Sequence, residues 1–179
     1  MTSLMQGKKI VLLGYMGSGK STIGKLLANK LKYQFIDLDQ YIEKQEGHTI
    51  PNIFKNEGEL YFRKKEHHYL KEVLALKQDV ILSLGGGTPC FAGNMDVVKK
   101  GGASSIYLKL SIPTIVKRLA PEKAGRPLIA HIEKEEDLLE FIGKHLFERS
   151  YYYNQAEHVV SVDQETHEQI IDSIQTMLD

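Results

Sequence analysis

At 179 residues, with 42% apolar and 26% charged residues and 23 basic side chains against 23 acidic ones, the chain is expected to form one globular domain with a core of its own. Zero net charge removes the concentrated positive footprint that nucleic acid requires, so no nucleic-acid partner is expected, and an acidic ligand must be met by a few placed basic groups. Cys90 is the sole cysteine and suits a reducing, cytoplasmic setting; MTSLMQGKKI lacks the apolar core of a leader, and no run is long and apolar enough for a bilayer, so no membrane partner is expected.

Lys9 to Leu13 reads as a short buried strand. It runs into GYMGSGKST, Gly14 to Thr22, and a helix from Lys20 to Leu31 with Ile23, Leu26, Leu27 and Leu31 at helical spacing. Phe35 to Asp39 reads as a second strand entering a turn. Helical pieces are expected over 41–46 and 50–56, and a longer helix over 57–76. Val80 to Leu84 is a strand stopped by Gly85-Gly86-Gly87. A helix over 94–100 leads to a strand over 104–110. The next helix, 113–119, is entered through Ser111 with proline in its first turn. Residues 120–131 hold two prolines and Gly125 and read as a mobile loop. A long amphipathic helix over 133–156, a strand over 158–162 and a final helix capped by Asp163 complete the chain.

Strands alternating with helices imply an α/β fold, a parallel sheet with helices on both faces. Its ligand crevice should lie at the carboxyl ends of the strands. Gly14, Asp37, Asp39 and Gly85 all fall there.

Gly14, Gly19, Lys20 and Ser21 satisfy G-x-x-x-x-G-K-[ST] between a strand and a helix. Gly17 and Gly19 let successive backbone N–H groups turn inward, and the helix start adds its positive end. Gly17, Ser18, Gly19, Lys20, Ser21 and Thr22 are therefore the candidate cradle for the phosphates of ATP. Lys20 would reach the outer phosphates and the Ser21 hydroxyl would bind magnesium. The plainer alternative is a glycine turn capped by serine. No guanine reader is present, since Asn29-Lys30-Leu31-Lys32 lacks the aspartate and lies in the first helix. The strand that would normally end in a magnesium-holding aspartate ends in glycines, which leaves Asp37 as the second magnesium ligand. If strand geometry persists, Asp37 and Asp39 point to one side, one toward metal and the other toward an acceptor hydroxyl. Alternatively Asp39 caps the helix that follows.

Arg63 lines up with Leu60, His67, Leu70 and Leu74 on a stripe expected to face inward, and Arg149 with Ile142, Leu146 and Tyr153. Buried guanidinium groups require anions, either Glu66 one turn after Arg63 or a bound acidic substrate. Three consecutive glycines after a buried strand suggest close approach of a ligand to backbone. Arg126, in Gly125-Arg126-Pro127, is placed to close over a transferring phosphate, or else is a solvated loop residue. The seven histidines show no metal spacing; His67 and His68 read as one inward and one outward residue. Cys90 reads as a small buried residue.

Taken in order, GYMGSGKST, FIDLD, GELYFRKKE, LGGGT, GRPLI and ERSYYY resemble the shikimate kinase family over nearly the whole chain. The resemblance implies a single P-loop kinase domain over 1–179 of the nucleoside-monophosphate-kinase type. It implies a five-stranded parallel sheet flanked by helices, a substrate-binding region at about 38–68 and a lid at about 119–131. It implies transfer of the γ-phosphate of ATP to the 3-hydroxyl of shikimate, in a protein expected to be a monomer. The matching residues would be Asp39 at the acceptor hydroxyls and Arg63 and Arg149 on its carboxylate. Gly86 and Gly87 would lie beside the ring, Arg126 in the lid, Arg118 against adenine, and Ser21 with Asp37 at magnesium; Lys20, Asp39 and Arg126 would be catalytic. The chain departs from the family pattern after Arg149, where Ser150-Tyr151-Tyr152 replaces a common proline, and at Asp163 to Thr166, which carries no distinctive adenine signature. The rival readings are a kinase of another small acid or nucleotide, such as gluconate or a nucleoside monophosphate, and a nucleotide-binding switch without acceptor chemistry.

Overall fold

Five short runs of aliphatic residues pair into one sheet, and the order of pairing decides what meets at its rim. The computed structural model describes residues 6–91 and 93–179; Met1 to Met5, which open the segment judged for a leader, and Ala92 lie outside them. The strands are β1 (Lys9–Leu13), β2 (Gln34–Asp37), β3 (Val80–Ser83), β4 (Ser104–Lys109) and β5 (His158–Ser161), in the order β2-β3-β1-β4-β5. All four pairings are parallel. The central strands β1 and β3 are buried along their whole length, as a parallel sheet covered on both faces demands. Even Lys9 is enclosed, its ammonium donating to the carbonyls of Gly7, Leu76 and Gln78 at 2.8 Å each. Satisfied in this way, the buried cation avoids the cost of an unpaired one.

Among the described residues eight helices flank the sheet: α1 (Lys20–Leu31), α2 (Leu38–Glu46), α3 (Ile50–Glu57), α4 (Glu59–Leu74), α5 (Asn94–Lys100), α6 (Ile112–Leu119), α7 (Glu135–Tyr153) and α8 (His167–Leu178). Helices α2, α3 and α5 pack on α4, α1 packs on α8, and α6 packs on α7. Several start where the sequence supplies an oxygen for a free backbone N–H. Thr49 accepts from Asn52 N, and Ser111 from Thr114 N, each followed by proline in the first turn. Thr166 and Gln169 form a reciprocal capping box. Among the described residues no helix is long and apolar enough to cross a membrane.

Five readings of the sequence are corrected. β2 ends at Asp37, not Asp39, because the Asp37 carboxylate accepts from Gln40 N at 3.1 Å and starts α2 two residues early. Asp37 is thus the cap, and Asp39 lies in the first helical turn rather than beside it on a strand. Helix α4 starts only at Glu59, after Gly58 at φ 85°, and its inner face carries Phe62, Glu66, Leu70 and Val73. Leu60, placed on the inward stripe from spacing, is 71% exposed. Asp163 does not cap the last helix; it accepts from Ser111 N and Oγ, both at 2.9 Å, and ties the β5–α8 loop to the start of α6. The stretch read as a loop from Ala120 begins with a 3₁₀ turn, Ala120–Gly125. The α7 stripe holds: Ile142, Leu146 and Tyr153 are all buried.

Candidate active site

β1 delivers the chain into the glycine loop at the carboxyl edge of the sheet. Gly17 and Gly19 adopt φ 79° and 87°, left-handed values that a side chain would strain, and Gly19 is the N-terminal cap of α1. The loop therefore wraps its backbone around the positive end of a helix. Lys20 Nζ donates to Gly14 O at 2.8 Å and Tyr15 O at 3.2 Å. Burial pushes its ammonium down to about 8, only partly offset by Asp39 and Asp37. A polyanion on the loop would restore that charge. Ser18 points inward instead; its N–H is taken by Tyr15 O at 3.2 Å.

A cleft of about 560 Å³ opens above the loop, lined by Gly17, Gly19, Lys20, Ser21 and Thr22, with Asp37 and Asp39 opposite. Arg118, from α6, donates to Gly17 O at 3.1 Å, and both it and Arg126 line the same cleft. Arg126 pairs with Glu122 at 3.0 Å while its Nε has no hydrogen-bond partner among the described residues. Ser21 Oγ donates to Asp37 Oδ2 at 3.2 Å. Among the described residues no group of three or more His, Cys, Asp or Glu side chains could hold a metal alone. A hydroxyl and one carboxylate suit magnesium, which takes few protein ligands and completes its shell with phosphate oxygens and water.

A second cavity of about 270 Å³ adjoins the first. Arg63, Glu66, Gly87 and Arg149 line it, with Phe54 and Phe62 on its apolar side, and Met16, Asp39, Gly85 and Gly86 line both spaces. Asp39 thus stands where the two cavities join. Burial, then the Asp37 and Glu66 charges, raise its carboxyl to about 6, with Lys20 opposing.

The triple glycine explains how the side chains converge. A Cβ on Gly85 would lie 2.9 Å from Asp39 Oδ1, one on Gly86 2.9 Å from Arg149 Nη1, and one on Gly87 3.0 Å from Arg63 Nη2. Each missing side chain leaves room for one polar group. The two arginines differ in charge balance. Arg63 is held by Glu66 at 2.9 Å, approaches Glu59 at 3.6 Å and stacks 4.0 Å from the Phe91 ring. Arg149 has no carboxylate partner among the described residues; its guanidinium lies 5.9 Å from the Tyr15 ring. Tyr153, one turn on, donates to Gly86 O at 2.6 Å and fixes the glycine strand against α7.

Asp37, Asp39, Arg63, Arg118, Arg126 and Arg149 therefore gather with the phosphate loop at one rim. Sequence reasoning missed Glu122, one turn before Arg126, and the tyrosines Tyr15 and Tyr153, whose partners His145 and Gly86 are distant in sequence. It also missed the apolar wall of Met16, Ile50, Phe54, Phe62 and Leu128; Phe54 and Leu128, 36% and 53% exposed, carry the visible signal of large apolar side chains left outside the core. His67 is half-buried on Asn94 while His68 faces out. Cys90 is half-buried and burial pushes its thiol up, away from the reactive thiolate.

The family model for shikimate kinase matches residues 16–179. A curated shikimate kinase of Flavobacterium johnsoniae is 49% identical over 172 residues, covering 96% of this chain and 98% of the relative. Among solved structures, a shikimate kinase of Bacteroides thetaiotaomicron superposes with TM-score 0.86 at 35% identity, covering 96% and 98% of the two chains. A shikimate kinase of Acinetobacter baumannii in complex with shikimate gives TM-score 0.82 at 31% identity, with 98% and 95% covered.

Proposed function

Because the chain belongs to the shikimate kinase family, we propose that its two joined cavities hold ATP and shikimate, with the acceptor 3-hydroxyl at Asp39. The enzyme is a phosphotransferase that phosphorylates shikimate at the expense of ATP. One observation carries the assignment of the acceptor site: among the described residues Arg149 lines the smaller cavity with no carboxylate beside it, whereas Arg63 is already balanced by Glu66. The surplus positive charge calls for a small carboxylate, gripped by two guanidinium forks at the far end of the acceptor.

The triphosphate lies along Gly17 to Thr22, with Lys20 turning from the Gly14 and Tyr15 carbonyls to the outer phosphates. Arg126 leaves Glu122 for the γ-phosphoryl oxygens, and Arg118 lies against the base. Ser21 and Asp37 would hold magnesium, which when bound neutralises charge on the β- and γ-phosphate oxygens. Residues 119–131 act as the lid and 38–68 as the substrate-binding region.

Phosphoryl transfer asks for alignment and charge neutralisation more than covalent help. Arg63 and Arg149 fix the acceptor so that its hydroxyl faces the γ-phosphorus in line. Asp39 accepts the hydroxyl proton as the new P–O bond forms and the γ-phosphoryl bond to ADP breaks. With its carboxyl at about 6, Asp39 is mostly ionised at neutral pH and closer in proton affinity to its task than an ordinary aspartate. ADP release is measured by a coupled assay with protein, ATP and magnesium against shikimate, gluconate and AMP in turn. ADP with shikimate alone is the expected result; equal turnover with gluconate, or none with any acceptor, overturns the reading.

A further inference from the structure

Arg63 is held from behind by a buried polar chain that includes residues far from the cleft. Glu66, 1% exposed, accepts from Arg63 Nη1 at 2.9 Å through Oε1 and from Thr88 Oγ1 at 2.8 Å through Oε2. Thr88 is fully buried, immediately after the three glycines, and its carbonyl accepts from Asn94 Nδ2 at 2.8 Å. Asn94, also fully buried, therefore turns Oδ1 toward His67 Nδ1 at 2.7 Å. The bond to Thr88 sets which end of the Asn94 amide faces His67, and its Oδ1 can only accept, so His67 Nδ1 carries the hydrogen. The chain starts on α4, crosses the loop after β3, reaches α5 and returns to α4 one residue beyond Glu66.

We infer that Thr88, with Asn94 and His67 behind it, is a positioning residue for the acceptor: its hydroxyl fixes the Glu66 carboxylate, and Glu66 fixes the Arg63 guanidinium. This inference rests on the assignment of Arg63 to the acceptor carboxylate. A carboxylate bonded only by an arginine can rotate with it. One also bonded by a hydroxyl on a different element has its plane set independently of α4. The same loop sets the depth of the pocket, since a Cβ on Gly87 would meet Arg63 at 3.0 Å and one on Gly85 would meet Thr88 Oγ1 at 3.1 Å and Asp39 Oδ1 at 2.9 Å. Thr88 thus registers Arg63 and Asp39, the two ends of the acceptor, to a single backbone turn. Of its two polar roles the carbonyl serves the fold through Asn94, and the hydroxyl serves the site.

The test is steady-state kinetics, ATP binding and thermal unfolding on the full chain carrying Thr88→Val, Thr88→Ser, His67→Gln and Arg63→Lys. Thr88→Val keeps the shape and removes the donor. It should raise the shikimate KM by roughly tenfold, the order of one lost charge-assisted hydrogen bond, with kcat and ATP affinity nearly unchanged. Thr88→Ser should bring KM back close to the parent value. A Thr88→Val protein that melts earlier but keeps the parent KM makes the network merely structural and overturns the inference. Should that variant not fold, His67→Gln, at a half-exposed position, decides: a few-fold rise in shikimate KM supports the relay and an unchanged KM overturns it. Arg63→Lys separates the two levels. An unchanged KM there removes Arg63 from the acceptor site altogether, while a raised KM beside a silent Thr88→Val removes only the positioning role.

Discussion

Gly86→Ala tests the convergence of the acceptor site with one methyl group. Gly86 does not occupy the left-handed region, so alanine is free of backbone strain there. Its Cβ would lie 2.9 Å from Arg149 Nη1, while the next neighbours, Tyr153 OH and Gly14 O, are at 3.7 and 3.9 Å. Ordinary contact starts near 3.4 Å, so the guanidinium must retreat by about 0.5–1 Å. It is the far end of a flexible side chain with no carboxylate tether among the described residues, so it yields in preference to the backbone. A two-point grip on a carboxylate does not survive such a shift in both arms. Losing one charge-assisted hydrogen bond costs about 1.5–3 kcal/mol, or about 10–150-fold in affinity. The assay measures shikimate KM at saturating ATP, ATP KM at saturating shikimate, and Tm. The shikimate KM should rise at least tenfold, while ATP KM stays within about twofold and Tm falls by no more than about 3 °C, the shift expected for ~1 kcal/mol at this chain length. An unchanged shikimate KM would refute the placement of Arg149 at the acceptor. An equal rise in both KM values would mean that the methyl group distorts the phosphate loop instead.

Asp39→Asn should abolish most turnover, about 10²-fold or more for a lost general base, yet raise stability at pH 7. The native carboxyl sits at about 6 against an ordinary 3.8, so ionising it costs the folded state up to ~3 kcal/mol; that cost appears as pH rises from 3.8 through about 6 and is absent below 3.8. Thermal melts of both proteins at pH 4 and pH 7 check the sign, which is wrong if the stability gap narrows as pH rises. Lys20 is the mirror case: its ammonium is held at about 8 against an ordinary 10.5, so its penalty is present below about pH 8 and is relieved as pH rises toward 10.5. ATP binding near pH 8.5 should therefore take up a proton, seen by calorimetry in buffers of different ionisation enthalpy, and Lys20→Ala should bind ATP without that uptake. Gly24→Ala probes packing away from the site, because its Cβ would collide with the Phe35 ring. Overpacking at about 1–3 kcal/mol should outweigh the helix-propensity gain of about 1 kcal/mol; a variant more stable than the parent in urea would show that Phe35 simply swings aside.

The nucleotide half of the protein was legible in the sequence. A strand, a glycine loop and a helix are local features, and G-x-x-x-x-G-K-S specifies them within eight residues, Gly14 to Ser21, so β1, α1 and the cradle fall where spacing puts them. Arg149 was also readable, because α7 is long and its apolar stripe keeps one phase over several turns. Helix phase elsewhere was not. A start displaced by two residues rotates every later side chain by about 200°, and Asp37 taking the cap moved Asp39 from strand to helix. Leu60 failed for a related reason: spacing finds a face, but only the packing of α2, α3 and α5 against α4 selects which face is buried. The strand order brought β3 between β1 and β2, so Gly85 and Gly86, which follow it, line one cleft with Lys20 and Asp39. Two arginines 86 positions apart in the chain could be guessed as anion binders from their stripes. That Glu66 balances one and leaves the other its charge is a property of side chains meeting across elements, which sequence alone does not contain and the folded chain decides.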